Sequence, residues 1–304
     1  MKQIIGIVCA LTIGLIVPVR VARADDTATQ IQSVVSKVAP AIVTIKAVMK
    51  TEFSANGQSR DVESRVTMLG VVVDKDGLIM ISNAAFSPGR VMALMGQGDG
   101  SSKDLKAVPI DFKVIFEQED KEYSGFLAAT DSKLDLAFIK IEDLGDRKLS
   151  TIDFSTGADP VIGQEILTVA RLEKGYDYAP YFATARIGGV IERPRKAFLL
   201  SGIGNFGLPM YTLAGENIGV VTTVESGVQS EGSVTDVGTM LRFASGGGLL
   251  RAFIVPTSVV NALIAQARLR AVTVAAERAK KKAAADEQAK KAAADKSKSG
   301  AKKP

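Results

Sequence analysis

Ile31, Val34, Val35 and Val38 fall at i, i+3, i+4 and i+7, the stripe of a short amphipathic helix, which Ala39-Pro40 ends. Beyond that point the period changes. Ala41-Ile42-Val43-Thr44-Ile45 reads as a buried strand, and a second strand is expected over residues 66–73. Asp74-Lys75-Asp76-Gly77 turns it into a third, Leu78 to Ser82, with Asp and Gly where a tight turn needs them. Residues 112–116 and 123–128 look like a further pair, and 162–170 and 182–191 like two more strands, the last strongly alternating. Arg251 to Pro256 is a closing strand. A helix starts at Ser258 with Val260, Leu263, Ile264 and Ala267 on one face. Short strands punctuated by Gly and Pro, with helices only at the ends, predict an all-β sandwich or barrel. Residues 87–108, rich in Gly, Ser and Met, form no clear element; at this length they read as a binding or gating loop, or as a surface insertion.

Both ends differ from this middle. Lys2, an apolar run from Ile4 to Val19, and Ala22-Arg23-Ala24 before Asp25 have the layout of a secretory signal peptide over residues 1–24. The alternative is an uncleaved anchor in the inner membrane, although the run falls short of the ~20 residues that span a bilayer. Past Arg270 the chain becomes Ala/Lys/Glu/Asp repeats with no large apolar stripe, so 271–304 reads as a basic tail, a solvated helix or disordered. The central domain is then 25–270. The formal charge of +5 divides unevenly: the first 24 residues carry three positive charges. The tail has ten Lys/Arg against four Asp/Glu, which leaves 25–270 acidic by four. The tail is suited to an anionic surface such as lipid headgroups or cell-wall polymer; without interleaved aromatics, nucleic acid is not expected.

The single cysteine, Cys9, lies in the signal-like segment, so an exported chain would have no disulfide and no cysteine metal site, and would rely on its core. A bacterial periplasm suits this pattern. Histidine is absent from all 304 residues. It is the usual general base near neutral pH, so no Ser-His-Asp or Cys-His device and no histidine-ligated metal can be built. No cofactor is implied.

Four motifs resemble the trypsin-like serine endopeptidases, most closely the HtrA/Deg type. Val34-Val35 through Ile45 is similar to that family's helix-to-strand entry. Gly70-Val71-Val72-Val73, the Asp74–Gly77 turn and Leu78 through Asn83-Ala84-Ala85-Phe86 follow its hairpin, with Ala85 at the histidine position. Asp131-Ser132-Lys133-Leu134-Asp135-Leu136-Ala137 is similar to the stretch holding the aspartate that orients the histidine, which falls on Asp135. Gly204-Asn205-Phe206-Gly207-Leu208-Pro209-Met210 resembles the nucleophile loop G-[ND]-S-G-G-P-L, with Phe206 at the serine position and Leu208 at the second glycine. The strand 162–170 also fits.

The resemblance covers about residues 31–267 and implies a trypsin-like double β-barrel with short terminal helices and a basic Ala/Lys-rich tail. It also implies an oxyanion-hole remnant in the backbone N–H groups of Gly204 and Phe206, and that Asp135 is all that is left of the triad. In that family the histidine takes the serine proton and the aspartate holds the imidazole; a methyl at Ala85 and a ring at Phe206 do neither. The expectation is an inactive serine-endopeptidase homologue without the family's usual PDZ domain, binding peptides or proteins as a scaffold or regulator. The alternative is an active serine-type endopeptidase using other residues, with Ser201 and Ser245 as candidates beside glycines.

Overall fold

The computed structural model describes residues 21–55, 58–86, 107–117, 119, 121–193, 195–202, 204–222 and 252–300. The 87–108 stretch and Ser245 therefore lie wholly or largely outside the described residues. Helix α1, Val21–Val38, leads through a short 3-10 turn, Ala39–Ala41, into the first barrel. That barrel is built from β1 (Ile42–Ala55), β2 (Gln58–Val72), β3 (Leu78–Ser82), β4 (Ala107–Phe116), β5 (Glu122–Asp131) and β6 (Leu136–Ile141). It closes in the order β1-β2-β3-β6-β5-β4, every pair antiparallel.

The second barrel follows with β7 (Glu165–Arg171), β8 (Pro180–Ile191), β9 (Ala197–Ser201), β10 (Pro209–Thr212), β11 (Asn217–Thr222) and β12 (Phe253–Pro256). It closes as β10-β11-β12-β9-β8-β7, again antiparallel. The fold is mainly β, as the alternation predicted, and its two closed six-stranded barrels are what the resemblance implied. Closure removes the edges that such strands otherwise present within each barrel, leaving only the stretch of β1 and β2 that runs beyond it.

Three apolar clusters explain why the strands carry so few polar residues. One fills the first barrel with Ile45, Met49, Ile79, Ile81, Phe116 and Ile139, and another fills the second with Ile166, Phe198, Met210 and Ile254. The third lies between the barrels and under the helices, combining Leu78, Met80 and Leu136 of the first with Leu167, Val220 and Val255 of the second. Strand β3 shows the logic. Its alternate residues Ile79 and Ile81 enter the barrel while Leu78 and Met80 enter the inter-barrel core, so both faces are buried and the run is continuously apolar.

Helix α2 corrects the expected short terminal helix. It runs unbroken from Thr257 to Gly300, 44 residues, straight through the expected boundary at Arg270. Val260, Ile264, Ala267 and Ala271 are buried at heptad-like spacing, with Leu263 and Val274 beside them. The inner face continues to Arg278, which sits over the Phe126 ring at 5.0 Å and bonds Glu142 at 2.6 Å. Arg268 pairs with Asp74. Further along, the side chains described as far as Gln288 are exposed.

Buried Arg171 on β7 ties the second barrel to the chain's entry into the first. Its guanidinium donates to the carbonyls of Ile42 (2.9 Å), Ala39 (2.7 Å) and Tyr178 (3.1 Å). Desolvation pulls its pKa down, and Glu117 offsets part of this.

Candidate functional site

The loop after β9, the 3-10 turn after β3 and the turn before β6 meet where the barrels join. Asp135 ends the β5–β6 turn in the left-handed region, φ 55, a conformation aspartate tolerates better than most residues. It is 2% exposed. Its carbonyl accepts the N–H of Asn83 at 2.9 Å, and its carboxylate Oδ2 accepts the hydroxyl of Ser82 at 3.2 Å. The same Ser82 oxygen accepts the N–H of Ala84 at 3.2 Å. Two hydrogen bonds thus hold the turn Asn83–Phe86 against the aspartate, and Ala85 sits on that turn. Phe86 anchors it from below, edge-on to Phe112 at 6.1 Å between ring centres.

The loop 204–208 reaches this place from the second barrel. Gly207, at φ 82, lies so close to β3 that a Cβ there would run into the backbone nitrogen of Ser82 and come within 3.0 Å of the Ile81 carbonyl carbon. Only glycine meets both demands. The loop is pinned by Gly207 N–H to Val221 O (2.8 Å), Leu208 N–H to Asn205 O (3.2 Å) and Val221 N–H to Leu208 O (3.1 Å). Gly204 has its own constraint, since a Cβ would meet Leu200 Cδ2 at 2.6 Å and Val221 Cγ1 at 2.9 Å.

The structure therefore brings together the turn holding Ala85, Asp135 and the loop holding Phe206, which are separated by at least 50 residues in sequence. Phe206 is half-buried and packs onto the cluster that fills the second barrel. Leu208 points the other way and is completely buried in the inter-barrel core. Among the described residues the N–H groups of Gly204 and Phe206 have no hydrogen-bond acceptor.

Two polar residues here carry no distinguishing signal in the sequence. Ser82 supplies the hydroxyl that Asp135 accepts. A serine at the end of a strand looks like ordinary turn chemistry, so the sequence does not mark it. Thr222 ends β11, two residues beyond Val220 and so on the inter-barrel face. It is fully buried, and its hydroxyl has no partner among the described residues. Only its buried place would have marked it, and sequence does not give that.

Ser201 is exposed at the end of β9. A groove of about 480 Å³ lies between α2 and β5, lined by Phe138, Leu263, Ala267 and Arg270 but by none of Ser82, Asp135 or Phe206. Its position under a helix marks it as a packing groove rather than part of this site. Compared with known protein families and with curated proteins, the sequence finds no match.

Proposed function

We propose that this chain is an exported pseudoprotease: a serine-endopeptidase fold of the HtrA/Deg type that binds extended peptides or protein partners as a scaffold or regulator. The double barrel is compatible with such a fold. The observation carrying the reading is the junction itself. The carboxylate of Asp135 accepts the Ser82 hydroxyl, Phe206 is packed against the second barrel's core, and no imidazole exists in the chain to move a proton between them. Ala85 and Phe206 stand at the motif positions of base and nucleophile. On this reading the site serves recognition, through the amides of Gly204 and Phe206, rather than bond cleavage.

The test is reaction of the purified protein with a fluorophosphonate probe, alongside digestion of casein. No labelling and no cleavage are expected. Labelling that disappears in a Ser201→Ala or Ser245→Ala variant would establish the rival, an active serine-type endopeptidase with non-standard residues.

A second reading, that α2 rests on an anionic surface, is favoured by its outward ridge. Leu269 and Val272, 75% and 73% exposed, line up with Ala262, Ala265 and Ala276 opposite the packed face, and Lys280, Lys281 and Lys282 follow. An apolar ridge followed by lysines is the pattern of a helix lying in a lipid interface. Co-sedimentation with vesicles containing phosphatidylglycerol checks it. Truncation after Arg270 should abolish binding, and unchanged binding would eliminate this role.

A further inference from the structure

Strand β2 is far longer than its barrel needs. All of Gln58–Val71 pairs with β1, but β3 meets β2 only from Gly70 to Val72. From Gln58 to Leu69 the other edge of β2 has no strand partner among the described residues. Its described side chains are open as well: residues 61–65, Asp61 through Arg65, are all exposed, with Val62 at 39%. An open edge of this length is a template for another strand.

The sequence of that edge says which strand fits. We propose that β2 pairs antiparallel with β2 of a second copy of this chain, about a two-fold axis through Ser64. In that register Glu63 of each copy faces Arg65 of the other, Val62 faces Val66, Asp61 faces Thr67, and the two Ser64 residues face each other. Val66 and Met68 pack against the first barrel's interior cluster, so Val62, Ser64 and Val66 share the barrel-side face. The pairing thus extends the apolar face across the axis with two Val–Val contacts and sets two Glu–Arg pairs on the outer face.

Neither Glu63 nor Arg65 is engaged in an ion pair among the described residues, whereas neighbouring Asp61 is held by Lys50 at 2.6 Å. Moving the axis to Glu63 sets Glu63 against Glu63 and leaves Asp61, already held by Lys50, as the acid facing Arg65; moving it to Arg65 sets Arg65 against Arg65 with no opposite-charge pair. Like charges directly opposite are unfavourable, and opposite charges and β-branched pairs favourable. The edge is therefore most complementary to itself with the axis at Ser64, the one of these registers with opposite charges and no like pair, which makes a second copy the occupant rather than an unrelated strand.

The experiment uses the full chain with Cys9→Ser, so that no natural thiol interferes. A reversible dimer is expected by analytical ultracentrifugation. Glu63→Arg or Arg65→Glu alone turns both pairs repulsive and should weaken it tenfold or more. The double variant Glu63→Arg/Arg65→Glu restores opposite charges and should restore the dimer. Independently, Ser64→Cys should oxidise to a covalent dimer, because directly opposed antiparallel residues stand about 4.5–5.5 Å apart, within disulfide reach. Thr67→Cys should not, since the two positions would be ~20 Å apart. A monomer at high micromolar concentration overturns the proposal. So does a dimer indifferent to the charge swap, or one cross-linked as readily through Thr67→Cys as through Ser64→Cys.

Discussion

Leu208 is the residue whose substitution tests the packing of the two barrels most directly. It is fully buried in the cluster that both barrels share, two residues from the half-buried ring of Phe206. Leu208→Ala removes three carbons. At about 0.8 kcal/mol per buried methylene equivalent the transfer term is about 2.4 kcal/mol. A cavity of about 80 Å³ left open at about 24 cal/mol per Å³ adds up to ~2 kcal/mol. Collapse into that space is hindered, because the backbone of Leu208 is bonded on both sides, to Asn205 and Val221, and the surrounding strands belong to closed barrels. The expected loss is therefore near the top of the range for such changes, about 4 kcal/mol, or roughly 8–15 °C in Tm for a body of this size. The chain has no tryptophan, so urea unfolding is followed by far-UV circular dichroism, with the m-value checked for constancy. Leu208→Met, which keeps the volume, should cost less than about 1.5 kcal/mol. A loss below about 1 kcal/mol for the alanine variant would show that the side chain does not bridge the barrels, and the account of the junction would fall with it.

Other residues give sharper local tests. Arg171→Met strands three buried carbonyls that now share one guanidinium, and should cost about 3–5 kcal/mol in the same urea assay. Gly207→Ala meets both a positive φ and the Ser82 backbone, so a loss of at least about 2 kcal/mol is expected; a neutral result would separate the loop from β3. Tyr211 is buried, its hydroxyl has no partner among the described residues, and desolvation raises its pKa. The folded state therefore keeps a proton that the unfolded chain releases as pH rises through about 10, so stability falls above that pH. Tyr211→Phe should remove this part of the alkaline decline and cost nothing at pH 7; a steeper decline in the variant would contradict the assignment. The Asp153 carboxyl is held below its usual pKa by the backbone N–H and hydroxyl of Ser155. Its small contribution is present above the unfolded pKa and lost as pH falls; in an NMR titration Ser155→Ala should move the Asp153 midpoint upward.

Much of the architecture was legible in the alternation of residues. Strands 42–45, 78–82 and 182–191 announce themselves because a buried or half-buried strand must present apolar side chains at period two or continuously. The lengths were not legible. β1 and β2 run to Ala55 and back from Gln58, over residues too polar to read as core, because pairing of the two backbones does not require apolar side chains. Helix α2 also outruns its pattern. Its inner positions past Arg270 are Ala271, Val274 and Arg278, a small side chain, a half-buried one and a cation whose contact is a ring on β5. No hydrophobic count flags such a face.

The sequence alone settled which side chains exist at the motif positions: no histidine anywhere, a methyl at 85, a benzyl group at 206 and a carboxylate at 135. It also settled the period, and with it the class of fold. Only the tertiary structure decided that Ser82 donates to Asp135, that Gly207 presses against β3, and that Phe206 and Leu208 face two different cores. Periodicity is a property of neighbours along the chain and fixes which face of an element is buried. What that face touches depends on how two barrels, distant in sequence, close and dock, and no local pattern encodes it.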